Sequence, residues 1–406
     1  MANKHASLDA LFTDIADAIR EKTGDTGTIP AVEFPNMIRN RLWAKPYLTF
    51  SSPNSFTLAV NDATKHWDGT LEYSTDTSTW STWDGTTTLS SATIGSDNVL
   101  YLRGTGNTVI TGTNTNYKWV LTGSNIACIG NIENLLDYAT VESGVHPTMA
   151  SNCYRYMFHN CTSLTQAPAL PATTLTAYCY SNMFYNCKAL TQAPALPATT
   201  LVDYCYSFMF DGCTSLTQAP ALPATTLTNY CYQYMFYNCT RLTQAPALPA
   251  TTLAKYCYQY MFRGCTSLIQ ASALPATTLA KGCYRSMFNQ CTNLTQAPSL
   301  PATTLTIDCY KFMFEFTAIT AIPKIMATTY ATDSCKGMFD DVKTLNVYSS
   351  SGTGHTYGWT APASTYCSGM FGSDDGEPEW AKLDGENFPN SGTPTEGVTY
   401  YFATVD

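Results

Sequence analysis

The chain has 406 residues, a formal net charge of −9 at pH 7 and only 13% charged residues. This length exceeds what one ordinary core requires and predicts several domains, or a repeat array with additions. Lys and Arg are not clustered, which argues against binding to a nucleic-acid backbone. No apolar run reaches the roughly 18 to 20 residues of a membrane-spanning helix, and the first residues do not resemble a secretory signal peptide, so we expect a soluble chain.

Residues 1–45 are predicted to form a helical hairpin. Apolar residues from Leu8 to Ile19 recur with helical spacing, and a second short helix is expected after Pro30. A hairpin of this size is too small to be stable alone, so we expect it to dock or to form a homo-oligomer such as a trimer.

Two strings in this hairpin resemble a known module. They are Asp14-Ile-Ala-Asp-Ala-Ile-Arg-Glu-Lys-Thr-Gly and Ile29-Pro-Ala-Val-Glu-Phe-Pro. They are similar to the N-terminal helical module of tail-associated proteins of bacteriophages and prophages of gut bacteria. The resemblance implies that residues 1–45 attach to other virion tail proteins.

Residues 46–127 are predicted to form a small β-sandwich of the immunoglobulin-like kind. Short alternating runs of apolar and polar residues are separated by Asn, Asp, Gly and Ser at intervals of roughly ten residues. Its tryptophans either pack in the core or form a platform for a carbohydrate, and core packing is the simpler interpretation; they are Trp67, Trp80, Trp83 and Trp119. Residues 128–152 are expected to cap the first unit of the repeat that follows.

The strongest pattern is a unit of 26 residues, for example from Cys179 to Tyr204, that recurs about seven times. Within a unit, Cys, Tyr, Met, Phe and a second Cys have spacings that predict one face of a short helix. The following Leu-Thr-Gln-Ala-Pro suits a brief strand. Such a unit cannot bury its apolar face alone. Residues 153–342 are therefore predicted to form a solenoid with one short parallel strand and one short helix per repeat. The fold class is therefore mixed α/β and all-β.

The motif Met-Phe-x-x-Cys-x-x-Leu, followed by Leu-Pro, runs from Cys153 to Phe339, with a degenerate echo near Cys367. It resembles the BspA-like leucine-rich repeats of bacterial surface proteins. The chain departs from that family in the length of the unit and in Ala167 and Ala193, where a bulky aliphatic residue is usual. The resemblance implies a leucine-rich-repeat arc that serves recognition and not catalysis.

Two cysteine ladders follow this period. Zinc ligands usually come in closer pairs, and eight helical residues would separate two Cα atoms by roughly 12 Å, too far for a disulfide. Free thiols that fill the core are therefore preferred, with bonds between adjacent coils as the alternative, and we expect no metal and no cofactor. The ladder cysteines are Cys153, Cys161, Cys179, Cys187, Cys205, Cys213, Cys231, Cys239, Cys257, Cys265, Cys283, Cys291, Cys309 and Cys335.

The candidate binding surface consists of positions that vary between otherwise near-identical repeats. These positions follow the first cysteine and the Met-Phe pair, and their Tyr, Asn, Ser and Gln content is typical of recognition surfaces. The alternative is that they are simply unconstrained surface positions. The candidate ligand-binding residues are Tyr156, Tyr185, Phe208, Tyr234, Tyr237, Tyr260 and Phe312.

Residues 343–406 are predicted to form a C-terminal cap with its own strands. The five histidines show no spacing typical of a catalytic triad or a zinc site. We therefore do not expect an enzyme, although a depolymerase is an alternative.

The first hypothesis is a phage or prophage tail fibre or receptor-binding protein, located in the virion, assembled in the host cytoplasm and binding a bacterial surface glycan or protein. The alternatives are a cell-surface adhesin and a structural spacer.

Overall fold

The computed structural model describes residues 47–91, 98–372 and 381–403. The predicted helical hairpin, with the strings that resemble a phage module, lies outside the described residues.

The described chain begins with two β-sheets. The strands are β1 (Leu48–Ser51), β2 (Thr57–Val60), β3 (Thr70–Ser74), β4 (Ser81–Trp83), β5 (Leu89–Ser90), β6 (Val99–Thr105), β7 (Trp119–Thr122), β8 (Ile126–Ile129) and β9 (Leu164–Gln166). The larger sheet has the order β4-β3-β6-β1-β8-β9, and the smaller sheet has the order β5-β2-β7. Only the pairing of β8 with β9 is parallel; the other pairs in these two sheets are antiparallel.

Tryptophans fill the core of this region. The Trp83 ring lies 5.2 Å from that of Trp67 and 5.5 Å from that of Trp119, and all three residues are buried. The alternative of a carbohydrate platform is therefore wrong for these three. Trp80 is half-buried and stacks under the guanidinium group of Arg103 at 4.1 Å.

The N-terminal sheets cover the first repeat. Strand β9 belongs to that repeat and extends the larger sheet, while helix α1 (Asn134–Glu142) packs against β6. The Trp119 N–H donates to the carbonyl oxygen of Met157 at 2.8 Å, and the Phe50 ring lies 6.2 Å from that of Phe158. The N-terminal sheets therefore cover the first coil with apolar side chains and form hydrogen bonds to its backbone.

Each repeat contains a run of successive turns where the sequence predicted a short helix. We call the stretch from two residues before the first cysteine to the second cysteine, such as 177–187, the turn ribbon. Within it, the Met183 N–H donates to the carbonyl oxygen of Tyr180, three residues back, at 3.2 Å. The next N–H, of Phe184, instead donates to Met209 of the following coil at 3.0 Å. An α-helix would send both N–H groups four residues back along its own chain, so the predicted helix is wrong.

Left-handed residues explain why the ribbon is not helical. A positive φ recurs at every fourth residue, at Tyr178 (59°), Asn182 (57°) and Asn186 (56°), and each such residue interrupts a right-handed helix. We call the equivalent positions of all coils the three left-handed rows. The Tyr178 row is Asn152, Tyr178, Tyr204, Tyr230, Tyr256, Gly282, Asp308 and Asp333. The Asn182 row is Tyr156, Asn182, Phe208, Tyr234, Tyr260, Ser286, Phe312 and Gly337. The Asn186 row is Asn160, Asn186, Gly212, Asn238, Gly264, Gln290, Phe316 and Asp341.

The predicted strand of each repeat is reduced, after β9, to isolated parallel bridges in the described part of the solenoid. Gln270 forms such bridges with Gln244 and with Gln296, one coil to either side, and Thr200 pairs with Thr226. Parallel stacking of coils is thus present, although the pairs do not join into longer strands. The proline that follows Thr-Gln-Ala has no N–H to continue the ladder.

The solenoid core consists of identical side chains in columns. The Phe184 and Phe210 rings are 5.6 Å apart and nearly parallel, and the Tyr180 and Tyr206 rings are 5.9 Å apart. These four side chains are at most 1% exposed. In every coil, each of these side chains packs on the identical side chain of the adjacent coil. The core of one coil is therefore completed only by its neighbours.

The repeat shifts by one residue near its end. The Tyr310 N–H donates to the carbonyl oxygen of Ser334, whereas the equivalent bond of Tyr284 goes to Cys309. Ser334 therefore takes the position of the first cysteine, and Cys335 takes the position of the tyrosine. The 26-residue step in the sequence assigns Cys335 to the wrong column, although Cys335 is buried as predicted.

The C-terminal segment closes the other end. Its elements are β10 (Asn346–Val347), β11 (Tyr357–Thr360), α2 (Ser364–Cys367), β12 (Lys382–Leu383), β13 (Glu386–Asn387) and β14 (Thr399–Phe402). Phe371, in the degenerate echo, extends the phenylalanine column with its ring 6.0 Å from Phe339. It also contacts Phe388 and Phe402, so the echo is a further coil covered by the C-terminal strands.

Candidate functional site

The cysteine ladders are structural. All sixteen cysteines are free thiols and are buried. Burial raises the pKa of Cys179 to about 12, which keeps this thiol protonated and unreactive at neutral pH. Among the described residues, no group of three His, Cys, Asp or Glu side chains has the arrangement of a metal site.

The structure brings three of the seven candidate binding residues into one stack. The Tyr234 ring lies between those of Phe208, at 4.4 Å, and Tyr260, at 4.5 Å. Tyr237 of the same coil tilts against Tyr234 at 5.4 Å. The four side chains are all half-buried, so they present an ordered aromatic patch in the middle of the solenoid.

The other three candidates lie in coils nearer the two ends of the solenoid. Tyr156 contacts the ring of His159, which in turn stacks on Tyr185 at 4.5 Å. Phe312 lies two coils beyond Tyr260, beneath the ammonium group of Lys311 at 5.8 Å. All three are half-buried and do not join the central stack.

A second aromatic stack was missed by the sequence reasoning. Tyr204 stacks on Tyr178 and Tyr230 at 4.5 Å on each side, and Tyr256 continues the column at 5.0 Å from Tyr230. A tyrosine directly before the first cysteine of four successive repeats was the available signal. The predicted binding surface contains only positions after that cysteine, so this row lies outside it.

Both ends of this tyrosine stack are closed. The Arg155 guanidinium lies 4.6 Å from the centre of the Tyr178 ring. At the other end, a Cβ on Gly282 would lie 2.4 Å from Cε1 of Tyr256, so the glycine provides the space into which that ring leans. The ring faces are therefore covered, and the stack offers ring edges and hydroxyl groups to a partner.

The Tyr204 hydroxyl stays protonated at neutral pH. Burial, together with the neighbouring Tyr178 and Tyr230 and hydrogen bonds to them, raises the pKa of Tyr204 to about 12. A neutral tyrosine hydroxyl can both donate and accept hydrogen bonds.

One carboxyl group is buried beside the aromatic patch. Asp211 is 7% exposed and occupies, one coil on, the position of Tyr185. Burial raises its pKa to about 7. At neutral pH this group is therefore divided between its neutral and charged forms.

The comparisons with known proteins agree with the repeat architecture. Residues 133–268, 178–317 and 228–346 match the model described as the BspA type leucine rich repeat region, in 6 copies, and together they span more than half of the chain. No curated protein and no solved structure matches the chain. Within the described ranges, no helix is both long and apolar enough to cross a membrane. The chain belongs to the BspA-type leucine-rich repeat family.

Proposed function

We propose that the chain is a non-enzymatic recognition protein that binds a partner on a bacterial surface through the outer side of its turn ribbons. The observation that carries this proposal is the pair of aromatic stacks, centred on Tyr204 and Tyr234, which stand on an otherwise invariant scaffold. The association of BspA-like repeats with bacterial surfaces supports the location.

The scaffold favours tight recognition because it is ordered before the partner arrives. The backbone of Tyr234 is held by the hydrogen bond from its N–H to the carbonyl oxygen of Gln259 in the next coil, at 3.0 Å. Its ring is held by Phe208 and Tyr260. Binding therefore immobilises few additional side chains, and an ordered aromatic surface loses little conformational entropy on association.

Repetition adds a second advantage. Equivalent contacts recur in successive coils, so several individually weak contacts act together on an extended or repetitive partner. A homo-oligomer formed through residues 1–45 would multiply this effect, and we retain such an oligomer as part of the proposal.

The test uses substitutions that the left-handed backbone already accepts. Asn occupies the Tyr178 row at Asn152 and the Asn182 row at Asn182. We expect the variants Tyr204→Asn and Tyr234→Asn, combined in one chain, to fold normally and to lose most binding of the fluorescently labelled full chain to bacterial cells, measured by flow cytometry across a panel of strains.

The matched control is the double variant Thr251→Ala and Thr252→Ala. These exposed threonines lie outside the turn ribbon, and the control should bind like the parent. Equal binding by the Asn variant, with an unchanged circular dichroism spectrum, would exclude the ribbon surface as the binding face. Absence of binding by the parent to every strain would favour a structural spacer.

A second candidate function is that of a phage or prophage tail-associated protein. It is favoured by the strings that begin at Asp14 and Ile29, which resemble a tail module. In this proposal residues 1–45 attach to the virion and the same ribbon surface meets the host. Immunogold electron microscopy of induced phage particles, with antibody to residues 47–130, distinguishes the two: label on tails supports the virion, and label on the cell envelope with bare particles supports the adhesin.

A further inference from the structure

A shallow cleft lies where the last coils meet strand β11. Its volume is about 770 Å³, within the range of small-ligand sites. The walls are formed mainly by Tyr330, Tyr357, Trp359 and Tyr366. We call it the C-terminal cleft. It is separate from the turn-ribbon surface described above.

Three of the four aromatic walls are fixed by hydrogen bonds. The Trp359 indole N–H donates to the Tyr330 hydroxyl at 3.1 Å, and that hydroxyl donates to the carbonyl oxygen of Ala327 at 3.2 Å. The Tyr357 hydroxyl is held at 2.9 Å by both the N–H and the carbonyl oxygen of Ile325. These three rings are therefore positioned by the protein and need no ligand to order them.

Two of the rings lie further apart than those of the ribbon stacks. The Tyr330 and Tyr366 rings are within 17° of parallel, and their centres are 6.2 Å apart. The ribbon tyrosines are separated by only 4.5 Å, so they cover each other's faces more fully. The cleft consequently offers aromatic surface as well as aromatic edges.

The cleft is also neutral. Every side chain that lines it is uncharged, and the polar groups on its exposed rim include the hydroxyls of Thr329 and Thr360. Met326, which is 52% exposed, adds an apolar rim. A charged ligand would find no counter-charge here, whereas a ligand with apolar C–H faces and many hydroxyl groups would satisfy both kinds of surface.

We propose that the C-terminal cleft binds a neutral pyranose unit of a bacterial surface glycan, with the sugar ring packed against the Tyr366 and Tyr330 side chains. The sugar hydroxyls exchange hydrogen bonds with the threonine rim. The identity of the partner as a surface glycan rests on the proposed function, whereas the neutral sugar chemistry rests on the cleft alone.

The experiment follows the methyl signals of ¹³C-methyl-labelled methionine in the full chain. The probes are neutral oligosaccharides of glucose, mannose and N-acetylglucosamine, compared with sialylated and sulphated oligosaccharides. We expect a saturable shift of the Met326 signal, assigned with Met326→Leu, for at least one neutral probe and for no anionic probe. Tyr366→Ala should weaken this binding about tenfold, the loss of one ring contact.

Met326→Glu keeps the experiment decisive if Tyr366→Ala fails to fold, because Met326 is exposed and its replacement leaves the core intact. Because neither variant carries the Met326 methyl probe, binding is measured by isothermal titration calorimetry against the parent. We expect Met326→Glu to weaken sugar binding by narrowing the apolar rim and adding a charge, while Met326→Gln, of similar size and uncharged, retains most of it. The proposal is overturned if no neutral sugar shifts the Met326 signal or if anionic sugars bind equally well.

The two proposals fail separately. Sugar binding that survives Tyr204→Asn with Tyr234→Asn supports the cleft whatever happens to cell binding. Loss of cell binding in that ribbon variant, with no sugar bound by the parent, would retain the proposed function and remove the cleft.

Discussion

The Cys187 thiol donates a hydrogen bond to the backbone carbonyl oxygen of Phe158, one coil earlier, at 3.1 Å. The same bond, at the same distance, joins Cys265 to Phe236. The second cysteine of each repeat is thus a small apolar side chain that also satisfies a buried carbonyl. Alanine would lack both the donor and the volume of the sulfur atom, which explains why cysteine occupies this column.

Replacement of Cys265 by alanine should destabilise the chain by about 1–3 kcal/mol, because a hydrogen bond is lost and a small cavity is left. Urea unfolding of the purified protein measures the change. Ser267→Ala, at a half-exposed position in the same coil, is the control and should alter stability by less than about 0.5 kcal/mol. Equal midpoints for the two variants would contradict this role for the thiol.

The thiols should be unreactive until the chain unfolds. All sixteen are buried, and burial raises the pKa of cysteines in both ladders, for example Cys179 and Cys187. Titration with a chromogenic disulfide reagent at pH 8 should therefore detect almost no thiol in the native protein and all sixteen in denaturant. Rapid reaction of several thiols in the native state would show that the coils open or are packed differently.

Asp211 should make stability depend on pH. Its pKa is raised from 3.8 to about 7 by burial, so the folded chain holds this proton more tightly than the unfolded chain does. Stability from this group is therefore present below pH 4, falls as the pH rises toward 7 and stays low above it.

Asp211→Asn removes this dependence. We expect the variant to match the parent near pH 4 and to be more stable at pH 8, by at most about 4 kcal/mol at 1.4 kcal/mol per pKa unit. Chemical unfolding at both pH values gives the comparison. Parallel pH profiles for parent and variant would show that this carboxyl is not the buried acid.

Whole coils should be removable. Deletion of residues 205–230 takes out one 26-residue unit and joins Tyr204 to Cys231, which restores every column. Because each coil contacts mainly its neighbours, we expect the shortened chain to fold cooperatively with a modestly lower melting temperature. Deletion of residues 205–217 breaks the register and should prevent folding. Circular dichroism melting of both chains provides the measurement, and similar curves for the two would argue against the column model.

The period of the repeat made much of the solenoid predictable from the sequence. The inward columns follow directly from it, and Cys179, Tyr180, Met183 and Phe184 are all fully buried. The stacking of coils followed from the inability of one unit to bury its apolar face alone.

The backbone of the ribbon was not predicted, because its inward spacings fit two structures. Pairs of inward residues four apart suit one face of a helix, but they also suit a ribbon that turns at every fourth residue. Asn182 and Asn186 were a signal for the second structure, since Asn adopts the left-handed conformation more readily than most residues. In other coils the same rows contain tyrosine, so the preference for the left-handed conformation was not apparent from the sequence.

The shift at Cys335 was missed for a different reason. The sequence places this cysteine at the regular interval, although Met338 and Phe339 follow Met313 and Phe314 after only 25 residues. The hydrogen bond between Tyr310 and Ser334 shows the same shorter unit in the structure. The C-terminal cleft likewise depends on a strand that joins the solenoid from a distant part of the chain, so spacing within the repeat contained no trace of it.

The left-handed rows limit how this surface can diversify. None of their residues is Val, Ile or Thr in the described coils, although Ile307 and Thr332 lie directly beside the Tyr178 row. Side chains branched at Cβ are disfavoured at positive φ, whereas Tyr, Phe, Asn, Asp and Gly are found there repeatedly. The backbone conformation therefore restricts which residues these rows can tolerate. New binding specificities must arise from that restricted set, and a designed library on this scaffold should use the same residues.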